Sequence, residues 1–212
     1  TISELMVENY VAEMQKICHE NGVKFSFECY TTIANSMDAS NYVDEPIAEV
    51  WQSPGFHFTM KAMSSAAHIN NKKIVSAEMF TSGWDEKWQS FPGTLKTLGD
   101  SAFCGGINKF IFHRYAMQPW FNQKPGVAMG PWGLHYERTN TWWEYTRPWH
   151  TYLARCQHML RQGNVVRDIL NLQPEEPGYW FRDLNIKGLD YVACSPDAFK
   201  NVTVKDGKLI DG

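Results

Sequence analysis

The feature that most constrains this chain is a repeated passage from helical to strand periodicity. Thr1 and Glu4 have capping-box spacing, and Met6, Tyr10, Met14 and Ile17 recur at helical spacing until Asn21-Gly22 stops them. Val23, Phe25 and Phe27 then alternate with Lys24 and Ser26, which predicts a strand ending on Glu28. A long loop containing Asp44-Glu45-Pro46 leads to a helix over 60–69, and Asn70-Asn71 turns the chain into a strand over 73–80. Leu95, Leu98, Ala102 and Phe103 predict a third helix closed by Gly105-Gly106, followed by a strand over 109–112 that meets His113. Thr146 and Pro148 start a fourth helix carrying Trp149, Leu153, Cys156 and Leu160, and 165–172, with Asp168, reads as a fourth strand.

Alternation of this kind implies an α/β fold with a parallel sheet and crossover helices. No glycine fingerprint follows a strand, which argues against a dinucleotide-binding fold and leaves a (β/α)8 TIM barrel. Four strand-helix units do not close eight strands, so residues 1–174 are expected to form the later part of such a barrel. Beyond Pro174 the pattern changes to short strands, with a hairpin over 202–210 turning at Asp206-Gly207. Residues 175–212 are therefore expected to be a linker and the start of a further β-rich domain. The opening at Thr1 without Met and the ending at Gly212 suggest a chain cut at both ends.

Charge excludes some partners. A net charge of -3, with no Lys/Arg run, gives no footprint for nucleic acid or a membrane surface. No transmembrane run or signal peptide is present. Cys18, Cys29, Cys104, Cys156 and Cys194 lack CxxC spacing, so buried free thiols are expected rather than zinc or a disulfide framework. The aromatic fraction of 14% is informative because many rings sit in polar, Gly/Pro-rich stretches, among them Trp84, Trp88, Trp120, Trp132, Trp142 and Trp143. Ring faces stack on the C–H faces of sugars, although core packing accounts for many of them.

A barrel places its chemistry at strand C-terminal ends, where Glu28, Glu78 and His113 fall. The long segment 114–146 is rich in Gly, Pro and Trp, as functional loops are. Trp120, Trp132, His135, Arg138, Asn140 and Trp142 in it offer rings and hydrogen-bond donors for hydroxyl recognition, with packing the rival role. His113 is read as a donor to a sugar hydroxyl or as a structural histidine. Glu28 and Glu49 have the oxygen chemistry for substrate contacts or calcium, and scaffolding explains them equally well. Asp44 and Glu45, before Pro46, are expected to start a turn or a helix. Glu137 ranks below Glu78, and His19, His57, His68, His150 and His158 are read as scaffold.

The strings resemble glycoside hydrolase family 106, the α-L-rhamnosidases. They run through Asp44-Glu45-Pro46-Ile47-Ala48-Glu49-Val50-Trp51, Ala77-Glu78-Met79-Phe80-Thr81-Ser82, Phe112-His113-Arg114-Tyr115 and Gln118-Pro119-Trp120. They continue in Pro125-Gly126, Arg138-Thr139-Asn140-Thr141-Trp142-Trp143 and Tyr152-Leu153-Ala154-Arg155-Cys156-Gln157. The resemblance implies an inverting hydrolase of terminal α-L-rhamnose in oligosaccharides, polysaccharides or glycosides, secreted or periplasmic, with calcium touching sugar hydroxyls. It implies Glu78 as general base, substrate contacts at the loop residues above and at Tyr115, and a general acid in an Asp-Ser-x-Glu type of motif that these residues lack. Without that acid the chain alone is expected to be inactive. Two other readings stay open: a retaining β-galactosidase-like glycosidase, and a carbohydrate-binding relative without turnover.

Overall fold

The computed structural model describes residues 1–31, 34–53, 57–175 and 181–210. In chain order the elements are α1 (Ile2–Met6), a π-helical turn Val7–Val11, α2 (Ala12–Glu20), β1 (Ser26–Phe27), α3 (Ser36–Ala39), β2 (Glu45–Trp51) and α4 (Phe58–Ile69). Then come β3 (Ser76–Thr81), α5 (Pro92–Cys104), β4 (Lys109–Phe112), α6 (Arg147–Leu160), β5 (Ile169–Leu172), β6 (Tyr191–Cys194), α7 (Pro196–Phe199), β7 (Thr203–Lys205) and β8 (Lys208–Ile210). The protein is thus α/β, with a four-stranded sheet in the order β1-β2-β3-β4 and parallel pairing of β1 with β2 and of β3 with β4. None of the helices among the described residues is long and apolar enough to cross a membrane.

The capping box forms as the sequence predicts, with the Thr1 hydroxyl accepting from the Glu4 N–H and the Glu4 carboxylate turned back to the Thr1 amine. The sheet differs from the expectation in its membership. Residues 45–51, expected as part of a loop, form β2 with Pro46, Ala48 and Val50 buried on one face. A proline argues against a strand because it has no N–H for the ladder, yet here Pro46 stands at the second residue, opposite Phe27 in a short parallel pairing. Asp44 caps no helix. Burial opposes its ionisation, but the Phe25 N–H at 2.7 Å and His19 Nε2 at 2.8 Å hold its carboxyl below the usual range. His19 therefore has a partner that its sequence context did not suggest.

The expected fourth strand also moves. Only Ile169–Leu172 is extended, and it pairs parallel with Tyr191–Cys194 in a separate two-stranded sheet. The expected hairpin is present as β7 and β8, turning at Asp206 and Gly207 with φ of 51° and 73°.

The chain forms two compact units: Thr1–Ala48, Lys61–Val75 and Asn164–Gly212 in one, and Glu49–Met60 with Ser76–Gly163 in the other. In the first, Met37, Ala66, Tyr191 and Ala193 make a buried cluster flanked by Ile169, Phe181 and Leu184. Asp190 joins it to two cations, Lys61 at 2.5 Å and Arg167 at 2.9 Å. In the second unit β3 is covered on both faces, as parallel strands are, and Glu78 is its single half-exposed residue. The Phe80 ring is fully buried between Phe110, Phe112 and Trp149, at centroid distances of 5.8, 5.2 and 6.3 Å. These contacts clamp the C-terminal end of β3 against β4 and α6.

Candidate active site

Glu78 is the third residue of β3, opposite Ile111 of β4. In a regular strand residues three apart point to opposite faces, so Thr81 would face away from it. It does not, because Phe80 adopts φ of 69° and breaks the alternation. A non-glycine residue there stores on the order of 1–3 kcal/mol, which the buried Phe80 ring offsets by packing. Gln52 receives the displaced end of the strand: its N–H donates to the Thr81 carbonyl at 2.8 Å and its Nε2 to the Phe80 carbonyl at 3.0 Å.

The consequence is a three-residue cluster. The Thr81 hydroxyl donates to Glu78 Oε1 at 2.5 Å, and His113 Nδ1 lies 3.2 Å from Thr81 Oγ1 and 3.4 Å from Glu78 Oε1. Glu78 Oε2 and His113 Nε2 have no hydrogen-bond partner among the described residues. The Glu78 side chain is 24% exposed, enough for a water molecule to reach the idle oxygen. A carboxylate with one oxygen anchored and the other open is built to accept a proton.

The segment after β4 returns to hold His113. Leu134 N–H donates to the His113 carbonyl at 2.5 Å and Arg114 N–H to the Leu134 carbonyl at 3.1 Å. Gly133 N–H donates to the Ser82 carbonyl at 3.0 Å, and the Ser82 hydroxyl answers to the Gly133 carbonyl at 2.9 Å. Gly133 has φ of 89°, and a Cβ there would fall 3.0 Å from the His113 carbonyl and 3.2 Å from its Nδ1. Glycine is required at this closest approach.

The remaining predicted residues distribute over this second unit. Trp132 is part-exposed, edge-on to Trp51 at 5.8 Å and against Gly83. Tyr115 and Trp120 are exposed, Tyr115 edge-on to Trp143 at 5.8 Å. Arg138 lies over the Phe121 ring at 4.6 Å, and Trp142 tilts against Tyr136 at 5.2 Å. Asn140 Nδ2 donates to the carbonyls of His135 and Glu137, stapling the loop. His135 is buried, with Nδ1 3.0 Å from Glu86 Oε2 and its ring stacked under Trp88 at 3.6 Å. Glu49 sits in β2 with its N–H and carbonyl both bound to the Thr59 hydroxyl, at 3.1 and 2.8 Å, and Glu28 is half-buried after β1. Among the described residues no three His, Cys, Asp or Glu side chains gather as a metal site.

Three residues carry weight that sequence reasoning did not give them. Glu86 is buried, and although burial opposes its ionisation, the N–H groups of Ser90 and Trp88 and the His135 ring hold its carboxyl below the usual range. Tyr136 is buried against Phe112 at 4.9 Å, and its hydroxyl meets His150 Nε2 at 2.5 Å. Thr81 was visible only as a hydroxyl three residues after Glu78. A strand pattern puts that residue on the wrong face, and the φ at Phe80 is not legible in sequence.

With this geometry established, comparison with known proteins decides the family. The sequence profile of the α-L-rhamnosidase family matches residues 1–180. The chain belongs to the α-L-rhamnosidase family. It is 40% identical over 216 residues to a curated protein of Formosa agariphila named provisionally as a β-glucuronidase, covering 99% of this chain and 18% of that protein. Its fold matches a rhamnosidase from Novosphingobium sp. PP1Y with a TM-score of 0.89 at 24% identity, covering 98% of this chain and 21% of that one. The chain therefore spans about a fifth of the length of the relatives it matches. Within the family match lie β3 and β4, and so the whole Glu78, Thr81 and His113 cluster.

Proposed function

We propose that residues 1–174 form the later part of a (β/α)8 barrel, that 175–212 lead into a further β-rich domain, and that Glu78 is the general base of an inverting α-L-rhamnosidase. The observation that carries the reading is the idle Glu78 Oε2 beside the anchored Oε1. In inversion, a water held by Oε2 loses its proton to Glu78 as its oxygen attacks the anomeric carbon. A carboxylic acid on the opposite face, roughly 6.5 to 9.5 Å away, protonates the departing oxygen. We place that acid in another segment of the full-length protein. Trp132, Tyr115 and Trp120 offer exposed ring faces for the sugar and its aglycone.

A second reading comes from the Formosa relative, whose name implies a β-glucuronide substrate. Such a sugar carries a carboxylate and calls for a cation near the reacting ring. The Arg114 guanidinium is turned onto the Val127 carbonyl at 3.0 Å, and Arg138 is spread over Phe121. The family match supports the rhamnoside.

The test uses the full-length gene product with 4-nitrophenyl α-L-rhamnoside and 4-nitrophenyl β-D-glucuronide, the anomer released being followed by NMR. The rhamnoside should be hydrolysed with inversion, and Glu78→Gln should lower kcat by about 10²- to 10⁴-fold. Retention of configuration, or a Glu78→Gln enzyme of full activity, would overturn the mechanism. Preference for the glucuronide would overturn the substrate.

A further inference from the structure

We propose that Thr81 and His113 are positioning residues for Glu78: His113 Nδ1–H donates to Thr81 Oγ1, Thr81 O–H donates to Glu78 Oε1, and Oε2 is thereby left as the basic oxygen. The proposal rests on the reading of Glu78 as base, and it adds how that base is aimed.

Proton counting carries it. A threonine hydroxyl has one proton to give. The Thr81 oxygen is 2.5 Å from a carboxylate oxygen and 3.2 Å from the imidazole nitrogen, so the proton belongs on the shorter, charge-assisted contact. Toward His113 the same oxygen can then only accept. That fixes the proton on His113 Nδ1 and leaves Nε2 of the neutral ring as an acceptor without a partner among the described residues. The direct Nδ1 to Glu78 contact, at 3.4 Å, also falls on Oε1. The hydrogen-bonded and ion-pair contacts to Glu78 thus fall on Oε1, and neither falls on Oε2.

The fold spends structure on this arrangement. The φ of 69° at Phe80 brings Thr81 onto the face of Glu78, and Gly133 presses against the back of the His113 ring. Among the described residues His113 is also the one charged or titratable group within ion-pair reach of Glu78.

Isosteric variants of the full-length enzyme separate this role from packing. Thr81→Val keeps the shape and loses the donor. It should lower kcat about 10- to 30-fold with KM within about twofold. Thr81→Ser should restore kcat to within about threefold. The amide nitrogen of an asparagine reaches the place of Nδ1 and that of a glutamine the place of Nε2. His113→Asn should therefore lose less of kcat than His113→Gln, which should behave as Thr81→Val does. A kcat within twofold of wild type in Thr81→Val would overturn the proposal, as would equal damage from the two His113 variants, which decide the matter even where Thr81→Val fails to fold. Failure of the base assignment has a different signature, an active Glu78→Gln.

Discussion

Three carboxylates in the same unit differ in how fully their oxygens are engaged. Glu137 is 1% exposed, and its oxygens accept from Gln118 Nε2 at 2.6 Å, Thr139 N–H at 2.6 Å and the Thr139 hydroxyl. Glu86 accepts from two backbone N–H groups and meets the His135 ring. Glu78 accepts from Thr81 on one oxygen and keeps the other open. The first two lie in the Trp-rich segments that look functional by composition, and their lone pairs are consumed in shaping those segments. The difference is the number of donors that the backbone delivers to each carboxylate, not burial or aromatic company alone.

The sharpest way to break the comparison is to remove Glu78 and Glu137 in parallel. Glu78→Gln should leave thermal stability within about 1 °C of wild type while activity collapses, because its amide still accepts from Thr81. Glu137→Ala should do the reverse in a denaturation experiment, costing about 2–4 kcal/mol as the Gln118 amide and Thr139 N–H lose a buried acceptor. A stable but inactive Glu137→Ala would mean the two roles have been assigned the wrong way round.

A smaller effect is expected at the contact holding His113. Gly133→Ala forces a methyl against the His113 carbonyl at a φ that disfavours it, and should cost about 1–3 kcal/mol with a parallel fall in kcat. An alanine variant with unchanged melting and kcat would show that the loop yields freely there.

The smallest effect is a pH dependence at Glu86. Its folded pKa is depressed, so its stabilising contribution is complete above the unfolded value, about 4.3, and is lost as pH falls through the lower folded value. Glu86→Gln should flatten the decline of stability over that acid window. Urea titrations between pH 3 and pH 6, run on both proteins, give the slopes directly, and parallel curves would count against the Glu86 assignment.

Much of the architecture was legible in the residues. The capping box, the helices over 92–104 and 147–160, the strand at 109–112 and the hairpin at Asp206-Gly207 follow from local periodicity and turn chemistry. Strand β2 was not legible, because Pro46 reads as a loop residue and its pairing with β1 is a tertiary fact. Residues 165–172 read as a fourth strand, and the partner that 169–172 find at 191–194 is again a tertiary fact.

The sequence by itself determined the helix and strand alternation, the family strings and the placing of Glu78 on a strand. Those properties are written in neighbouring residues, within one turn or one pleat. Tertiary structure alone decided that Thr81 shares the face of Glu78, that His113 and Gly133 close behind it, and that Glu137 and Glu86 are fully engaged. Each depends on a backbone angle at Phe80 or on donors brought from distant segments, and no local pattern encodes where such donors arrive. Glu78 stands apart because packing gave it one partner and left one oxygen open.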